Sequence, residues 1–318
     1  MNADFQEIIK YASKAPSGHN TQPWKFKITN DGIVVLPDFT AALPVVDKDN
    51  RELFTGLGCA VENIVVSATY YGYESHIKER NEAGINIALS LNSRIACNDL
   101  FHCIDRRQTN RSIYNGDKIA GHVLESLKST VAEPGTGIYF YEKDSEIGRM
   151  LKEFITEGNR IQMNDVNFKK ELLSWMRFNA RHVRETNDGL SYKVFGNPPL
   201  LKFIAEPIVN CFLKPDTQNK SDMKKIDSSS HLVLLTVLDN TPTGWIDLGR
   251  TLQRLLLKAT ESGVAYAFLN QPCEIDSLAG ELYKKLSTIN GYPVMILRMG
   301  YSAPVPYSPR KNASFLTE

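Results

Sequence analysis

The sequence predicts an α+β protein in which helices pack on both faces of a sheet, giving three layers, α/β/α. Segments with strand-like alternation of apolar residues are interleaved with long segments of helical periodicity. One long helical segment also occurs twice, which predicts two similar lobes within the chain. With 318 residues and a hydrophobic content of 42%, the chain can bury a sizeable core in one or two domains.

The predicted elements follow from apolar periodicity and from the residues that break it. The first helix ends at the Ala-Pro-Ser-Gly sequence, a hairpin turns at Asn30-Asp31, and a long helix ends before Gly72. In chain order we predict helix 4–14, strands 25–29 and 32–36, helix 50–71, strands 74–78 and 85–91, helices 98–104 and 119–131, strand 137–141, helices 144–163 and 166–185, strand 231–238, helix 246–262, strand 264–269, helix 275–287 and strand 293–300.

Residues 186–230 interrupt this alternation. They are rich in Gly, Pro, Asn, Asp and Ser, and we predict a long irregular segment there. Long loops in compact domains are often lids or binding loops, so this segment is a candidate lid. The apolar run Leu200–Leu213 within it indicates that the lid packs against the protein as a flap.

A segment bounded by glycines occurs twice with the same length. Leu57-Gly58 begins the first copy, which ends at Gly72, and Leu248-Gly249 begins the second, which ends at Gly263. An Ala-Thr pair stands at the same place in both copies. We interpret the repeat as one long, mostly buried helix used twice. The alternative is that two amphipathic helices happen to look alike.

The overall composition excludes several classes of function. A formal net charge of +1, from 37 basic and 36 acidic residues, gives no electrostatic reason to expect nucleic acid or an anionic membrane as partner. Five scattered cysteines without a CxxC pair, and histidines without ligand spacing, predict neither a disulfide framework nor a metal site. The N-terminus lacks an apolar signal segment, and no apolar run reaches the ~18 residues of a spanning helix. We therefore expect a cytoplasmic protein.

A polar loop lies between the first helix and the first strand. Its sequence, Ala15–Trp24, supplies a hydroxyl, an imidazole, two carboxamides and an indole within ten residues. Carboxamides present donors and acceptors at fixed angles, so such a loop can read the edge of a flat heterocycle. The alternative is an ordinary turn in which Ser17 and Asn20 cap backbone groups.

A second polar segment contains two arginines four residues apart. Arg107 and Arg111 flank the hydroxyl of Thr109, and this arrangement can hold a phosphate and a polyol chain. Taken alone, such a basic string is more often a solvated surface or a helix end.

Together these two segments resemble the nitroreductase family. Ala15–Trp24 resembles its flavin-contacting loop, APSxxNxQPW, and Arg107–Tyr114 resembles the RxSxRxF/Y element that opens an ordinary nitroreductase chain. The resemblance implies FMN as cofactor, with Arg107 at the phosphate, Thr109 at the ribityl chain or ring edge, and Arg111 at the N1/O2 side of the ring. There a fixed cation stabilises the charge of the reduced flavin. The loop candidates are Ser17, His19, Asn20 and Gln22.

The C-terminal region resembles the family as well. A strand and a Gly-Tyr pair precede Arg310 and Lys311, which match the basic pair that reaches the flavin phosphate; an ordinary charged C-terminus is the alternative. Asn270 and Gln271 lie in the segment that passes beside the flavin ring in the family. Gln271 and Gly263 are weaker candidates, because no side-chain pattern singles them out.

The order of the two main motifs is reversed relative to ordinary nitroreductases, where the arginine element comes first and two chains share each flavin. We therefore predict a fused, Acg-like chain whose two lobes, 1–104 and 105–318, mimic the usual homodimer. It would bind one FMN per chain and be a monomer.

The resemblance implies an oxidoreductase that transfers electrons from NAD(P)H through FMN to a nitroaromatic, a quinone or a similar small molecule. The flavin does the chemistry, so no general acid or nucleophile is expected from the chain. The alternative is an FMN storage or sequestering protein with a closed lid and little turnover. A degenerate relative used as a scaffold is a third reading.

Overall fold

The structure is a computed structural model that describes residues 2–286, 289–313 and 315–317. The helices and strands are α1 (Ala3–Ala12), β1 (Trp24–Ile28), β2 (Gly32–Pro37), α2 (Arg51–Tyr70), β3 (Tyr73–Asn81), β4 (Gly84–Leu91), α3 (Gly121–Lys128), β5 (Thr136–Glu142), α4 (Glu146–Asn164), α5 (Val166–Ser174), β6 (Met176–Arg177), α6 (Ala180–Thr186), β7 (Leu190–Ser191), α7 (Lys202–Phe212), α8 (Pro215–Asp227), β8 (His231–Val237), α9 (Pro242–Glu261), β9 (Ala265–Phe268), α10 (Gln271–Glu274), α11 (Asp276–Lys285), β10 (Tyr292–Gly300) and β11 (Phe315–Thr317). Short 3-10 helices cover Gly18–Asn20, Phe39–Ala41, Asp99–Cys103 and Tyr192–Phe195. The predicted α+β class is confirmed.

The strands form two main sheets. A five-stranded sheet has the order β11-β1-β2-β4-β3, and a four-stranded sheet has the order β5-β8-β10-β9. β11 pairs in parallel with β1, while the other pairs in both sheets are antiparallel. The last described strand of the second predicted lobe therefore completes the sheet of the first lobe, and it was not among the predicted strands.

The four-stranded sheet has helices on both faces. Along β8, Val233 and Leu235 pack into the core that contains α9, whereas Leu232 and Leu234 pack against α4 and α11. This is the predicted α/β/α layering. The five-stranded sheet buries one face only, since its strands alternate between buried and more exposed residues.

Helices α2 and α9, which contain the two copies of the predicted repeat, cross at Gly58 and Gly249. A Cβ on Gly58 would lie 2.0 Å from the carbonyl oxygen of Ile246, and one on Gly249 would lie 2.0 Å from that of Thr55. Only glycine permits this approach of two backbones. In each contact, the glycine of one helix lies against the carbonyl oxygen of the residue three positions before the glycine of the other helix. The crossing therefore has a pseudo-twofold geometry.

Contrary to the expectation that no apolar run reaches the length of a spanning helix, the helix Arg51–Tyr70 is long and apolar enough to cross a membrane, but 83% of its apolar window is buried inside the protein. It packs against α1, α9 and the five-stranded sheet. Core helices pass the same test of length and composition, and here the apolar surface is already covered.

Two predictions were wrong. Residues 186–230 are largely helical, because α7 and α8 occupy most of this segment. The composition of the segment did not indicate these helices, because α8 is almost entirely polar and buries only Asp222 and Ile226. The helix predicted at 166–185 stops at Ser174, where the chain turns into β6 so that Arg177 can form a buried ion pair with Asp188 at 2.7 Å.

Candidate functional site

The loop after α1 has an unusual backbone. His19, Asn20 and Gln22 all have positive φ values, between 47° and 58°. Asparagine tolerates this left-handed region better than most residues, and surrounding contacts must hold the others there. The Ser17 hydroxyl accepts a hydrogen bond from the backbone N–H of Gln22 at 3.0 Å, which closes the loop on itself.

Two distant segments fasten this loop. The Asn20 amide donates to the carbonyl oxygens of Gly189 at 3.1 Å and Pro309 at 3.0 Å. The Gln22 amide donates to the carbonyl oxygen of Asn187 at 3.0 Å, and its oxygen accepts from the backbone N–H of Lys311 at 2.9 Å. Both carboxamides are therefore committed to holding the chain together.

Arg107, Arg111 and Arg310 line a cavity of about 200 Å³ beside the loop. Arg107 is buried, donating to the backbone oxygen of Lys14 at 2.8 Å and to the hydroxyl of Tyr266 at 3.2 Å. Arg310 also donates to the Lys14 oxygen, at 3.3 Å, and to Asn20. The Nε atoms of Arg107 and Arg310 are buried and have no hydrogen-bond partner among the described residues.

Among the described residues, no carboxylate forms an ion pair with Arg107, Arg111 or Arg310. Burial, helped by Arg107, lowers the pKa of Arg310 to about 9. Burial also lowers the pKa of Arg111 to about 10. The one carboxylate in the lining, Asp105, is paired with Lys14. A buried cation without a partner is costly, so the geometry favours an anion in this cavity.

A larger cavity of about 960 Å³ adjoins the small one, and we call it the chamber. Ser17, Arg111 and Phe268 line both cavities, so the two share a wall. His19 also lines the chamber, where burial and the charge of Arg111 lower its pKa to about 4. Its imidazole is therefore neutral at pH 7.

A pair of glutamates in the chamber wall was not predicted. Glu52 and Glu274 share a hydrogen bond, and the amides of Asn270 and Gln162 donate to them. Burial, followed by the charge of Glu274, raises the pKa of Glu52 to about 8, and burial raises that of Glu274 to about 7. No signal in the sequence marks these residues, since Glu52 looks like an ordinary first-turn acid.

Gln271 lines the chamber and packs against α4 at Gly158, where that helix has no side chain. A Cβ on Gly158 would lie 2.7 Å from the Cβ of Gln271, so this glycine makes room for it. The Gln271 amide donates to the Asn159 oxygen at 3.0 Å, while its own oxygen is buried without a partner among the described residues.

Nine of the eleven candidate residues lie in the linings of the two cavities: Ser17, His19, Asn20, Arg107, Thr109, Arg111, Asn270, Gln271 and Arg310. The other two, Gln22 and Lys311, lie outside both linings. Lys311 donates to the backbone oxygen of Thr21 at 2.9 Å and lies 3.6 Å from Asp188. The described residues hold no cluster of metal-ligating side chains. The roles of all eleven toward a cofactor stay predictions.

Two curated proteins of Mycobacterium tuberculosis are similar to the chain over nearly its full length. One, provisionally named NAD(P)H nitroreductase Rv3131, is 24% identical over 100% of this chain and 94% of its own. The other, provisionally named NAD(P)H nitroreductase acg, is 22% identical over 96% of this chain and 93% of its own. No family model matches the chain.

The chain is therefore similar, over nearly its full length, to proteins provisionally named nitroreductases. This confirms the family resemblance of the two motifs and shows that the similarity extends beyond them to nearly the whole chain. Whether the chain arose by duplication of a shorter nitroreductase stays a prediction, as does the boundary of its lobes at residue 104.

Solved structures with a similar fold overlap only part of this chain. The FMN-dependent nitroreductase NfnB of Mycobacterium smegmatis, in complex with NADPH, is 14% identical with a TM-score of 0.40, covering 64% of this chain and 89% of its own. An iodotyrosine deiodinase bound to FMN and 3-iodo-L-tyrosine is 16% identical with a TM-score of 0.42, covering 67% of this chain and 95% of its own.

Proposed function

We propose that this protein binds one FMN and transfers electrons from NAD(P)H to a flat acceptor such as a nitroaromatic or a quinone. The observation that carries the proposal is the shared wall between a small cavity lined by three arginines and a large, mostly apolar chamber. An anionic phosphate suits the first, and a flat ring system suits the second. The names of the full-length relatives agree with this chemistry.

The chain offers specific residues for each part of FMN. The unpartnered Nε–H groups of Arg107 and Arg310 are donors for phosphate oxygens, and their buried positions strengthen such bonds. Arg111 places a positive charge at the boundary of the two cavities, where the ring would begin. When bound, FMN supplies hydride and electron transfer, and the chain contributes orientation and charge.

The decisive experiment compares Arg107→Ala with Arg106→Ala. Arg106 is the exposed neighbour and lines neither cavity, so its variant is the matched control. We expect Arg107→Ala to raise the Kd for FMN about 10- to 150-fold, because one charge-assisted phosphate contact contributes about 1.5–3 kcal/mol. Flavin fluorescence titration measures it, and the wild type should saturate at one FMN per chain. Equal affinities in wild type and Arg107→Ala would show that the FMN phosphate does not bind in this cavity.

A storage protein that sequesters FMN is the second candidate, and contacts of the segment 176–195 favour it. Phe195 lies against the Arg111 guanidinium at 5.8 Å, and Gly189 is hydrogen-bonded to Asn20 in both directions. This segment therefore closes over the boundary of the two cavities.

Anaerobic addition of NADH or NADPH to the FMN-loaded protein separates the two candidates. Bleaching of the flavin absorbance within seconds supports a reductase. A yellow protein that does not bleach supports storage. A protein that takes up no FMN contradicts both.

A further inference from the structure

The walls of the chamber differ in chemistry. The wall formed by the start of α2, by α4, by α8 and by α10 carries polar groups, including the carboxyl pair Glu52 and Glu274. The wall formed by α5, α7 and the segment around β6 is mostly apolar, apart from Arg177, which is paired with Asp188; its apolar side chains include Phe168, Leu172, Met176, Phe178, Ala205 and Val209. Ligand pockets usually span about 300–1,000 Å³, so the chamber is at the top of that range and has room beyond a single small acceptor ring.

The apolar wall continues onto the outer surface of the protein. Leu201, Phe203 and Ile204, at the start of α7, are exposed to 57%, 73% and 42%. Ile208 and Phe212, further along α7, are exposed to 45% and 64% and also line the chamber. The same side chains therefore contact both the cavity and the solvent.

An exposed apolar patch of this kind marks a site where something apolar binds. Here the patch is continuous with the chamber, so the simplest occupant is a part of the molecule that the chamber binds. A chain leaving the chamber between Ile208 and Phe212 would remain in contact with apolar side chains along α7. A chamber that bound only a small polar acceptor would need none of this surface.

We propose that the acceptor is a flat ring that carries a long apolar chain, with its ring in the chamber and its chain leaving along α7. This proposal rests on the proposed reductase function, in which NAD(P)H, a proton and a quinone give NAD(P)⁺ and a quinol. The acceptors would therefore be amphipathic, lipid-like molecules.

The experiment uses two quinones on the FMN-loaded protein, 2,3-dimethoxy-5-methyl-1,4-benzoquinone and its 6-decyl derivative. Binding is measured by equilibrium dialysis without reductant, and turnover is measured separately with NAD(P)H. Each buried methylene adds several-fold to affinity, so we expect the decyl quinone to bind about tenfold or more tightly, with a correspondingly higher kcat/KM. Equal affinity for the two quinones would overturn the proposal.

A pair of variants on α7 tests the exit route. Ile208→Glu puts a charge where the chain would leave, and we expect it to abolish the advantage of the decyl quinone by lowering its affinity several-fold more than the affinity for the chain-free quinone. Phe203→Glu makes the same change on the same helix at a residue of the outer patch that does not line the chamber, and we expect it to reduce the advantage much less than Ile208→Glu does. Equal losses in both variants would overturn the proposed exit.

The other occupants of this surface give different results. Co-sedimentation of the wild type with phosphatidylcholine–phosphatidylglycerol vesicles, lost in Phe203→Glu, would show a membrane contact instead. A dimer that Phe203→Glu converts to a monomer would show an interface between copies. If neither quinone is reduced but the decyl quinone still binds preferentially, the reductase function fails and the binding site stands.

Discussion

Helices α2 and α9 cross with the same geometry and yet have very different surroundings. When Gly58 is aligned with Gly249, Asp247 and Arg250 of α9 correspond to Gly56 and Cys59 of α2. The α2 residues are small and line the chamber. On α9, Asp247 pairs with Arg80 at 2.7 Å, and Arg250 pairs with Glu133 at 2.9 Å.

The difference teaches how a symmetric scaffold can carry one site. Backbone packing at the crossing is nearly twofold, so the same space is available beside each helix. Small side chains leave that space open on one side, and ion-paired side chains fill it on the other. This agrees with the proposal of one FMN per chain.

The largest effect is expected at the crossing itself. Gly58→Ala would place a methyl group 2.0 Å from the carbonyl oxygen of Ile246, and Gly249→Ala would do the same against Thr55. Both helices must separate, so we expect each variant to lose about 3 kcal/mol or more of unfolding free energy. Chemical denaturation measures the loss.

Gly280→Ala is the matched control for the crossing, since this glycine lies inside α11 with no atom within 4 Å of an added Cβ. Alanine there should stabilise the protein by about 0.5–1 kcal/mol. A tolerated alanine at Gly58 would show that the two helices are not in backbone contact.

The next largest effect is expected on the filled side. Glu62 accepts from Arg250 at 3.1 Å and from Arg254 at 2.6 Å, with all three largely buried. Glu62→Gln removes the negative charge between the two arginines and leaves them the ion pairs with Glu133. We expect the unfolding free energy, measured by denaturation, to fall by about 1–3 kcal/mol. The exposed Glu125, paired with Lys128, provides the control Glu125→Gln, which should change stability by less than about 0.5 kcal/mol.

On the open side, a side chain the size of aspartate should occupy the part of the chamber next to α2. Gly56→Asn is uncharged and matches the shape of Asp247, its counterpart on α9. We expect it to fold and to raise the Kd for FMN about tenfold or more, equivalent to about 1.4 kcal/mol. Gly56→Ala is the control, because its Cβ would meet neighbours at an ordinary 3.5–3.8 Å. Wild-type affinity in Gly56→Asn would place the flavin away from α2.

The smallest effect concerns pH. Because the pKa of Glu52 is raised from 4.5 to about 8, the folded protein holds a proton that the unfolded chain releases in that window. Its unfolding free energy should therefore fall as pH rises from about 5 to 8. Glu52→Gln cannot titrate, so we expect it to lose at least about 1.4 kcal/mol less than the wild type over this range, the equivalent of one pKa unit.

Some dependence on pH will remain in Glu52→Gln, because Glu274 and Asp47 also have raised pKa values, each about 7. The exposed Glu281, paired with Lys285, supplies the control Glu281→Gln, whose pH profile should match that of the wild type. Parallel profiles for the wild type and Glu52→Gln would mean that Glu52 is ionised in the folded protein.

The predictions from sequence succeeded where local pattern and packing agree. Apolar periodicity predicted the buried helices and the hairpin, and the glycines of the repeat marked a helix pair that the structure brings into contact. Prediction failed at α8, whose polar surface has no apolar stripe, and at β11, whose partner β1 lies nearly 300 residues away. Long-range pairing leaves no periodic signal in a short segment.

The sequence by itself determined the class of the fold, the family resemblance and the two motif halves that carry the candidate site, because local motifs are formed by contiguous residues. Only the tertiary structure decided how those halves meet. It brought Arg107, Arg111 and Arg310 around one cavity and assigned Gln22 and Lys311 to holding the chain. It also assembled the Glu52–Glu274 pair, since burial and neighbouring charge, which set a carboxyl's pKa, exist only once distant segments pack together.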